Sequence, residues 1–82
     1  MPITIFYDSQ CPLCNKEMQH LRKADTGSQL LLVDLHETGF EQRFPAIDKA
    51  KAMDVLHGLN SRGELVLGLD VTVMVWAAVG KY

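Results

Sequence analysis

The chain has little positive charge. Lys and Arg number 8 against 10 Asp and Glu, so the formal net charge is −2. A surface that binds nucleic acid is normally basic, and we therefore expect no nucleic-acid partner. At 82 residues the chain is shorter than a typical domain of about 100–150 residues, which excludes two large domains. We expect a single domain over 1–82, and the hydrophobic share of 48% excludes a disordered chain.

The chain also has few of the features of leader and membrane segments. Its first residues carry no basic region before an apolar stretch, so we expect that they are not a signal peptide. The last apolar stretch, from Val71 to Val79, is shorter than the roughly 20 residues that cross a bilayer. We expect a cytoplasmic protein that does not bind membranes.

Cysteine is scarce, and Cys11 and Cys14 are the only two. A disulfide between them would close a very short loop and stabilise the fold little. Small secreted domains that depend on disulfides use more cysteines, spread along the chain. The pair therefore indicates reactivity or metal binding rather than a structural crosslink.

Apolar patterning predicts an α/β domain with the order β-α-β-α-β-β-α and a mixed four-stranded sheet. Cys14, Met18 and Leu21 fall on one face of a helix, and the continuous run 30–33 is typical of a strand in a parallel sheet. The predicted strands cover 3–7, 30–33, 53–59 and 64–69, and the predicted helices cover 12–25, 38–44 and 70–79.

Several polar and glycine residues predict where the helices begin and end. Gly27 should end the first helix, and Thr38 should begin the second through a capping box. Asp48 should cap an additional turn over 49–52, and Asp70 should cap the last helix.

The last helix is apolar on nearly all sides. Val73, Trp76 and Ala77 lie off its main apolar face, and such a helix must be covered on more than one side. This suggests one functional hypothesis: a non-catalytic interaction domain that forms a homodimer through Val71 to Val79. Its thiol pair would be unreactive.

A strand, a short turn and then Cys-x-x-Cys at the start of a helix favour a second hypothesis, thiol–disulfide exchange. The reactive species in that reaction is the thiolate. Cys11 lies at the helix start, where free N–H groups and the helix dipole should lower its pKa. Cys14 lies one turn further on, facing the core, and should be the resolving thiol. No bound cofactor is needed, because a partner dithiol or a small thiol would supply electrons.

A third hypothesis is a metal-binding module. Structural zinc usually takes four ligands, so His20, His36 and His57 would have to complete the cysteine pair. His20 shares a helix with the cysteines, and the other two lack tight ligand spacing. We expect His57, within a strand, to be a buried and hydrogen-bonded structural residue.

The segment YDSQCPLC at 7–14 resembles the signature of the DCC family of thiol–disulfide oxidoreductases. That signature is an Asp followed by two cysteines, with two residues between each of them and the next. Asp8, Cys11 and Cys14 occupy those positions, and Leu13 also fits. The resemblance implies a thioredoxin-like fold, disulfide oxidoreductase activity and a substrate that carries a disulfide or thiol. Further matching positions are Met18, Leu21, Asp34, Leu56, His57, Gly58, Gly63, Gly68 and Asp70.

Asp8 has two interpretations, as a turn cap or as a residue that tunes the cysteines. A carboxylate near Cys11 raises the thiol pKa and can exchange a proton with Cys14.

The chain departs from the related families at three positions. Ser9 stands where the DCC family usually has glycine, and family chains commonly continue past the position of Tyr82. We therefore expect a short member or a fragment that lacks a C-terminal extension. Thioredoxins have a cis-proline before their third strand, where Ala52 and Met53 stand here.

Overall fold

A computed structural model describes residues 2–80, with four strands and four helices. Tyr82, where we expected an extension to be missing, lies outside this range. The strands are β1 (Ile3–Tyr7), β2 (Leu30–Asp34), β3 (His57–Leu59) and β4 (Leu65–Leu67). The helices are α1 (Pro12–Ala24), α2 (Phe40–Arg43), α3 (Lys49–Asp54) and α4 (Leu69–Ala78).

The strands form one mixed sheet in the order β2-β1-β3-β4. β1 pairs with β2 in parallel and with β3 antiparallel, and β3 pairs antiparallel with β4. This architecture confirms the predicted α/β thioredoxin-like fold. In the parallel pair Tyr7 lies opposite Asp34, so the residues that follow β1 and β2 emerge at the same edge of the sheet.

Helices cover both faces of β1, because successive side chains of a strand point to opposite faces. Ile5 packs on the side of α1 and α4, and Phe6 packs on the side of α2 and α3. The buried residues around Ile5 are Met18, Leu21, Val71 and Val75. Those around Phe6 are Val33, Leu35, Phe40 and Ala52. The aromatic pair Phe40 and Phe44 belongs to this second core, where both rings meet Phe6 edge-on.

The ends of α1 and α2 differ from the prediction. α1 ends with Asp25 as its C-cap, and Ser28, not Gly27, takes a left-handed conformation with φ 53°. The Asp25 carboxylate takes the place of a C-terminal glycine at the helix end, because it accepts hydrogen bonds from the backbone N–H groups of Gln29 and Leu30. Thr38 was also wrong as a cap: left-handed Gly39 precedes α2, with φ 82°.

The third strand is shorter than predicted. Asp48 caps α3 as expected, by accepting the N–H of Lys51 at 3.2 Å, but the helix continues to Asp54. The predicted strand 53–59 is therefore reduced to β3, and α3 is an element that the predicted order omits. Val55 and Leu56, rather than Ala52 and Met53, stand directly before β3.

The last helix begins one residue before Asp70, which was predicted to cap it. Gly68 is the N-cap instead, because the chain leaves β4 through a left-handed turn with φ 64°. Its N–H donates to the carbonyl of Leu56 at 2.8 Å. Asp70 lies in the first turn of α4, where its charge suits the positive end of the helix dipole.

Helix α4 is buried on one face and exposed on another. Val71 and Val75 are fully buried, as predicted for the main apolar face. Leu69 and Val73 are 82% and 68% exposed. None of the helices within residues 2–80 has the length and apolar character needed to cross a membrane, and the cytoplasmic location stays a prediction.

Substitution of Gly58 by alanine should destabilise the fold. An added Cβ would lie 2.8 Å from the backbone oxygen of Thr4 and 2.9 Å from Cγ1 of Val71. Since the first atom belongs to a paired strand, we expect a loss of about 1–3 kcal/mol in the free energy of unfolding. Urea denaturation would measure it. Gly27→Ala is the control, since its added methyl meets only the flexible Gln29 side chain; equal losses for both variants would contradict the explanation.

Candidate functional site

A tight turn joins the end of β1 to the start of α1. The N–H of Cys11 donates to the carbonyl of Asp8 at 3.1 Å, and the N–H of Gln10 donates to Asp8 Oδ1 at 2.9 Å. The Asn15 side-chain amide, from the first turn of α1, donates to the carbonyl of Ser9. These contacts fix the backbone that carries Cys11 at the edge of the sheet.

Cys11 is the N-cap residue of α1, and Pro12 is the first residue of that helix. The pKa of the Cys11 thiol is lowered, first by hydrogen bonding from the backbone N–H of Cys14. The Cys14 thiol and the N–H of Leu13 act in the same direction, and burial and the Asp8 charge oppose them. These contacts do not amount to a side-chain capping hydrogen bond, which Cys11 does not form. The lowered pKa has the direction that the sequence predicts.

Cys14 shows the opposite shift. Its pKa is raised, first by burial and then by the neighbouring Cys11 sulfur. The Asp8 carboxylate raises it further, whereas the backbone N–H of Asp8 acts against this rise. Both cysteines are free and half-buried. The two shifts run in opposite directions, so Cys11 is the more readily ionised thiol of the pair.

A polar network lies beside the thiols, where β1 and β2 end. His36 Nε2 is 2.7 Å from Asp8 Oδ1. Asp34 Oδ1 accepts the N–H of His36 at 2.9 Å and, more weakly, the N–H of Ser9 at 3.4 Å. Burial alone would raise the pKa of Asp34, but the hydrogen bonds from His36 and Ser9 outweigh it and lower the pKa. The network connects the dithiol turn to the neighbouring strand.

From the sequence His36 is a candidate only as a metal ligand, and its contact with Asp8 is not predicted. A signal was available, because the predicted first two strands were expected to lie in a parallel sheet. Carboxyl ends of adjacent parallel strands meet at one edge. Asp8 follows the first strand directly and His36 follows the second within three residues.

An apolar groove of about 320 Å³ runs between α1, α4 and the segment before β3. Asp8 and Cys14 both line it, so the Cys14 thiol and the Asp8 carboxylate share one surface. Most other lining side chains are apolar, among them Leu13, Met53, Leu56, Val75 and Trp76.

The remaining residues considered for function take structural positions. His57 is buried in β3, with Nδ1 2.6 Å from the carbonyl oxygen of Val55. Trp76 packs against the core and donates its indole N–H to Glu17 at 3.2 Å. His20 is exposed on α1. Among residues 2–80, no three His, Cys, Asp or Glu side chains are grouped so that they could hold a metal ion.

A dithiol at the N-terminus of the first helix, after the central strand of a four-stranded mixed sheet, defines a thioredoxin-like protein with a Cys-x-x-Cys pair. The comparison with family models gives the family itself. The chain belongs to the DCC1-like thiol-disulfide oxidoreductase family, whose model matches residues 5–82. No curated protein and no solved structure matches the chain significantly.

Asp34→Asn should destabilise the fold at neutral pH. A carboxylate with a lowered pKa stabilises the fold above its unfolded-state pKa, and this stability is lost as pH falls through its lower folded-state value. We expect a loss of about 1 kcal/mol at pH 7, since the hydrogen bonds are charge-assisted but partly exposed. The loss should shrink near pH 3.

Urea denaturation at both pH values measures this difference. Asp54→Asn, at an exposed carboxylate at the end of α3, is the control. A loss for Asp34→Asn that is the same at pH 3 and pH 7 would show that the ionised carboxylate is not responsible.

Proposed function

We propose that the protein carries out thiol–disulfide exchange, with Cys11 as the attacking thiol and Cys14 as the resolving thiol. The observation that carries this proposal is the placement of the two thiols: Cys11 is the N-cap residue of α1, and Cys14 lies one helical turn further on and lines the groove. The directions of their pKa shifts, lowered for Cys11 and raised for Cys14, agree with it. Membership of the DCC1-like family supports the same reaction class.

In the first step the Cys11 thiolate attacks one sulfur of a substrate disulfide. A bond forms between Cys11 Sγ and that sulfur, and the substrate S–S bond breaks. The other substrate sulfur leaves as a thiolate and takes a proton from solvent. The lowered pKa of Cys11 favours this step because only the thiolate is nucleophilic.

In the second step Cys14 loses its proton and attacks Cys11 Sγ. The mixed disulfide breaks, the remaining substrate sulfur leaves as a thiolate and takes a proton from solvent, and the protein is left with a Cys11–Cys14 disulfide. Two electrons have then passed to the substrate. We assign Asp8 as the group that accepts the Cys14 proton, because it lines the same groove and its charge acts on both thiols.

The substrate is a protein or small molecule that carries a disulfide or thiol. The groove that Cys14 lines can receive an apolar part of that substrate, since Leu13, Met53 and Trp76 face it. A partner dithiol or a small thiol returns the protein to the dithiol form by the reverse sequence of exchanges. Reaction in the oxidising direction uses the same two cysteines.

Replacement of each cysteine by serine separates the two roles. Cys11→Ser should abolish reduction of a disulfide substrate, because no thiolate remains at the helix start. Cys14→Ser should retain the first attack and accumulate a mixed disulfide with the substrate. Mass spectrometry detects the trapped adduct, and absorbance of the released thiol measures turnover.

Each cysteine variant is the matched control for the other, since both remove one sulfur atom. Normal turnover by the Cys11→Ser protein would show that Cys11 is not the nucleophile. A mixed disulfide that accumulates on Cys14 of the Cys11→Ser protein, and not on Cys11 of the Cys14→Ser protein, would reverse the assigned order.

The exposed side of α4 favours a second function, homodimer formation by an interaction domain. The predicted surface was Val71 to Val79, but Val71 and Val75 are buried in the chain's own core. We propose that a dimer contact would use Leu69 and Val73 instead, since both are strongly exposed.

Val73→Lys should weaken such a dimer by placing a charge in the contact. Sedimentation equilibrium over a range of protein concentrations measures the association, and Thr26→Lys adds the same charge at an exposed position outside the helix. A wild-type chain that is monomeric throughout, or equal weakening by both variants, would exclude this contact.

A further inference from the structure

We propose that His36 is a positioning residue for the dithiol: it holds and partly neutralises the Asp8 carboxylate beside Cys11 and Cys14. The inference rests on the proposed function, because it assigns a residue to the same site. His36 follows β2, whereas the Asp-x-x-Cys-x-x-Cys segment follows β1, so the residue lies outside that segment.

The contact between His36 and Asp8 is short and partly shielded from solvent. His36 Nε2 lies 2.7 Å from Asp8 Oδ1, and the two side chains are only 23% and 30% exposed. A carboxylate accepts hydrogen bonds, so the Nε2 atom carries the proton and donates it. Partial burial makes such a charge-assisted hydrogen bond stronger than one at the open surface.

His36 is itself fixed in place. Its backbone N–H donates to Asp34 Oδ1 at 2.9 Å. Because Tyr7 pairs with Asp34, His36 lies at the same edge of the sheet as the turn that carries the dithiol. Asp8 Oδ1 then accepts from two donors, the His36 ring and the N–H of Gln10. Two donors on one oxygen fix the orientation of the carboxylate beside the thiols.

His36 also changes the charge that reaches the thiols. The Asp8 carboxylate raises the pKa of both Cys11 and Cys14. A protonated His36 offsets the Asp8 charge and favours the thiolates, whereas a neutral His36 leaves the full negative charge acting on them.

The other charged and titratable groups near this pair come from each neighbouring element. Asp34 ends β2 and contacts the His36 N–H, and Glu37 follows His36 but pairs with Arg43 at 3.2 Å. On α1, Glu17 lines the groove and accepts the Trp76 indole N–H. The further titratable groups are Tyr7 in β1, which accepts from Arg22, and His57 in β3, whose Nδ1 contacts Val55.

Alkylation of Cys11 by iodoacetamide between pH 5 and 9 tests the proposal without any disulfide substrate. Peptide mass spectrometry reports Cys11 separately from Cys14. His36→Gln keeps a neutral donor near the Nε2 position, and His36→Leu removes both donor and charge. His20→Gln, at an exposed histidine of α1, is the matched control.

We expect both His36 variants to react about two- to fivefold more slowly than wild type near pH 6, the range for a partly exposed ion pair. At pH 9, where a greater share of the Cys11 thiol is ionised in every variant, His36→Gln should approach the wild-type rate. His20→Gln should follow the wild-type profile throughout. Circular dichroism checks folding, and if His36→Leu does not fold, His36→Gln carries the test.

Asp8→Asn and the double variant Asp8→Asn/His36→Gln show whether the effect passes through Asp8. We expect the two to have the same pH profile, because His36 has no carboxylate left to hold. An unchanged rate of Cys11 alkylation in His36→Gln at pH 6 would overturn the proposal. So would a finding that His36→Gln slows alkylation by the same factor in the Asp8→Asn protein as in wild type.

Failure of the proposed function would look different. Cys11→Ser protein that still reduces disulfides would exclude Cys11 as nucleophile and would leave the alkylation profiles of the His36 variants unaffected.

Discussion

The parallel pairing of β1 with β2 is the constraint on which the site depends. Parallel strands in one sheet need a crossover connection, and α1 is that connection here. The helix must therefore begin at the carboxyl end of β1, directly after the turn that contains Asp8. The same pairing carries Asp34 and His36 to that edge. The dithiol and its polar neighbours thus meet because of backbone topology, before any side-chain contact is considered.

Two opposing electrostatic effects act on the dithiol from this geometry. The N–H groups at the start of α1 favour negative charge on Cys11, and the Asp8 carboxylate disfavours it on both thiols. Helix N–H groups act over a short range and so reach Cys11 more than Cys14. Burial then adds to the difference, because it is the largest cause of the raised pKa of Cys14. The pKa values of the two thiols therefore shift in opposite directions because α1 starts at Cys11.

The sequence predicted elements that periodicity and burial decide together. β1 and the body of α1 were placed correctly, since one is rich in β-branched residues and the other has a clear apolar face. The core side of α4 was also found, although the alternation of Val71, Val73 and Val75 also suits a strand. Fold class and the Cys-x-x-Cys position therefore followed from local signals.

Boundaries failed where tertiary contacts or backbone conformation replaced the expected signal. Asp25 ended α1 through a side-chain hydrogen bond, and Gly39 and Gly68 opened helices through left-handed turns. Residues 53–59 alternate as a strand would, but Met53 and Asp54 belong to α3, which Asp48 caps. The His36–Asp8 contact was missed for a related reason, because it depends on strand pairing and not on spacing along the chain.

A carboxylate beside a dithiol that needs a thiolate is a contradiction only until the two steps of the proposed exchange are separated. In the first step the Asp8 charge disfavours the Cys11 thiolate, but the helix N–H groups outweigh it, since the net pKa shift is downward. In the second step Cys14 must lose a proton and has no comparable group of donors. Asp8 then serves twice, because its backbone N–H favours the Cys14 thiolate and its carboxylate is the acceptor that we assign to the proton. The Asp8 charge opposes the Cys11 thiolate, but the N–H groups at the start of α1 already stabilise that thiolate.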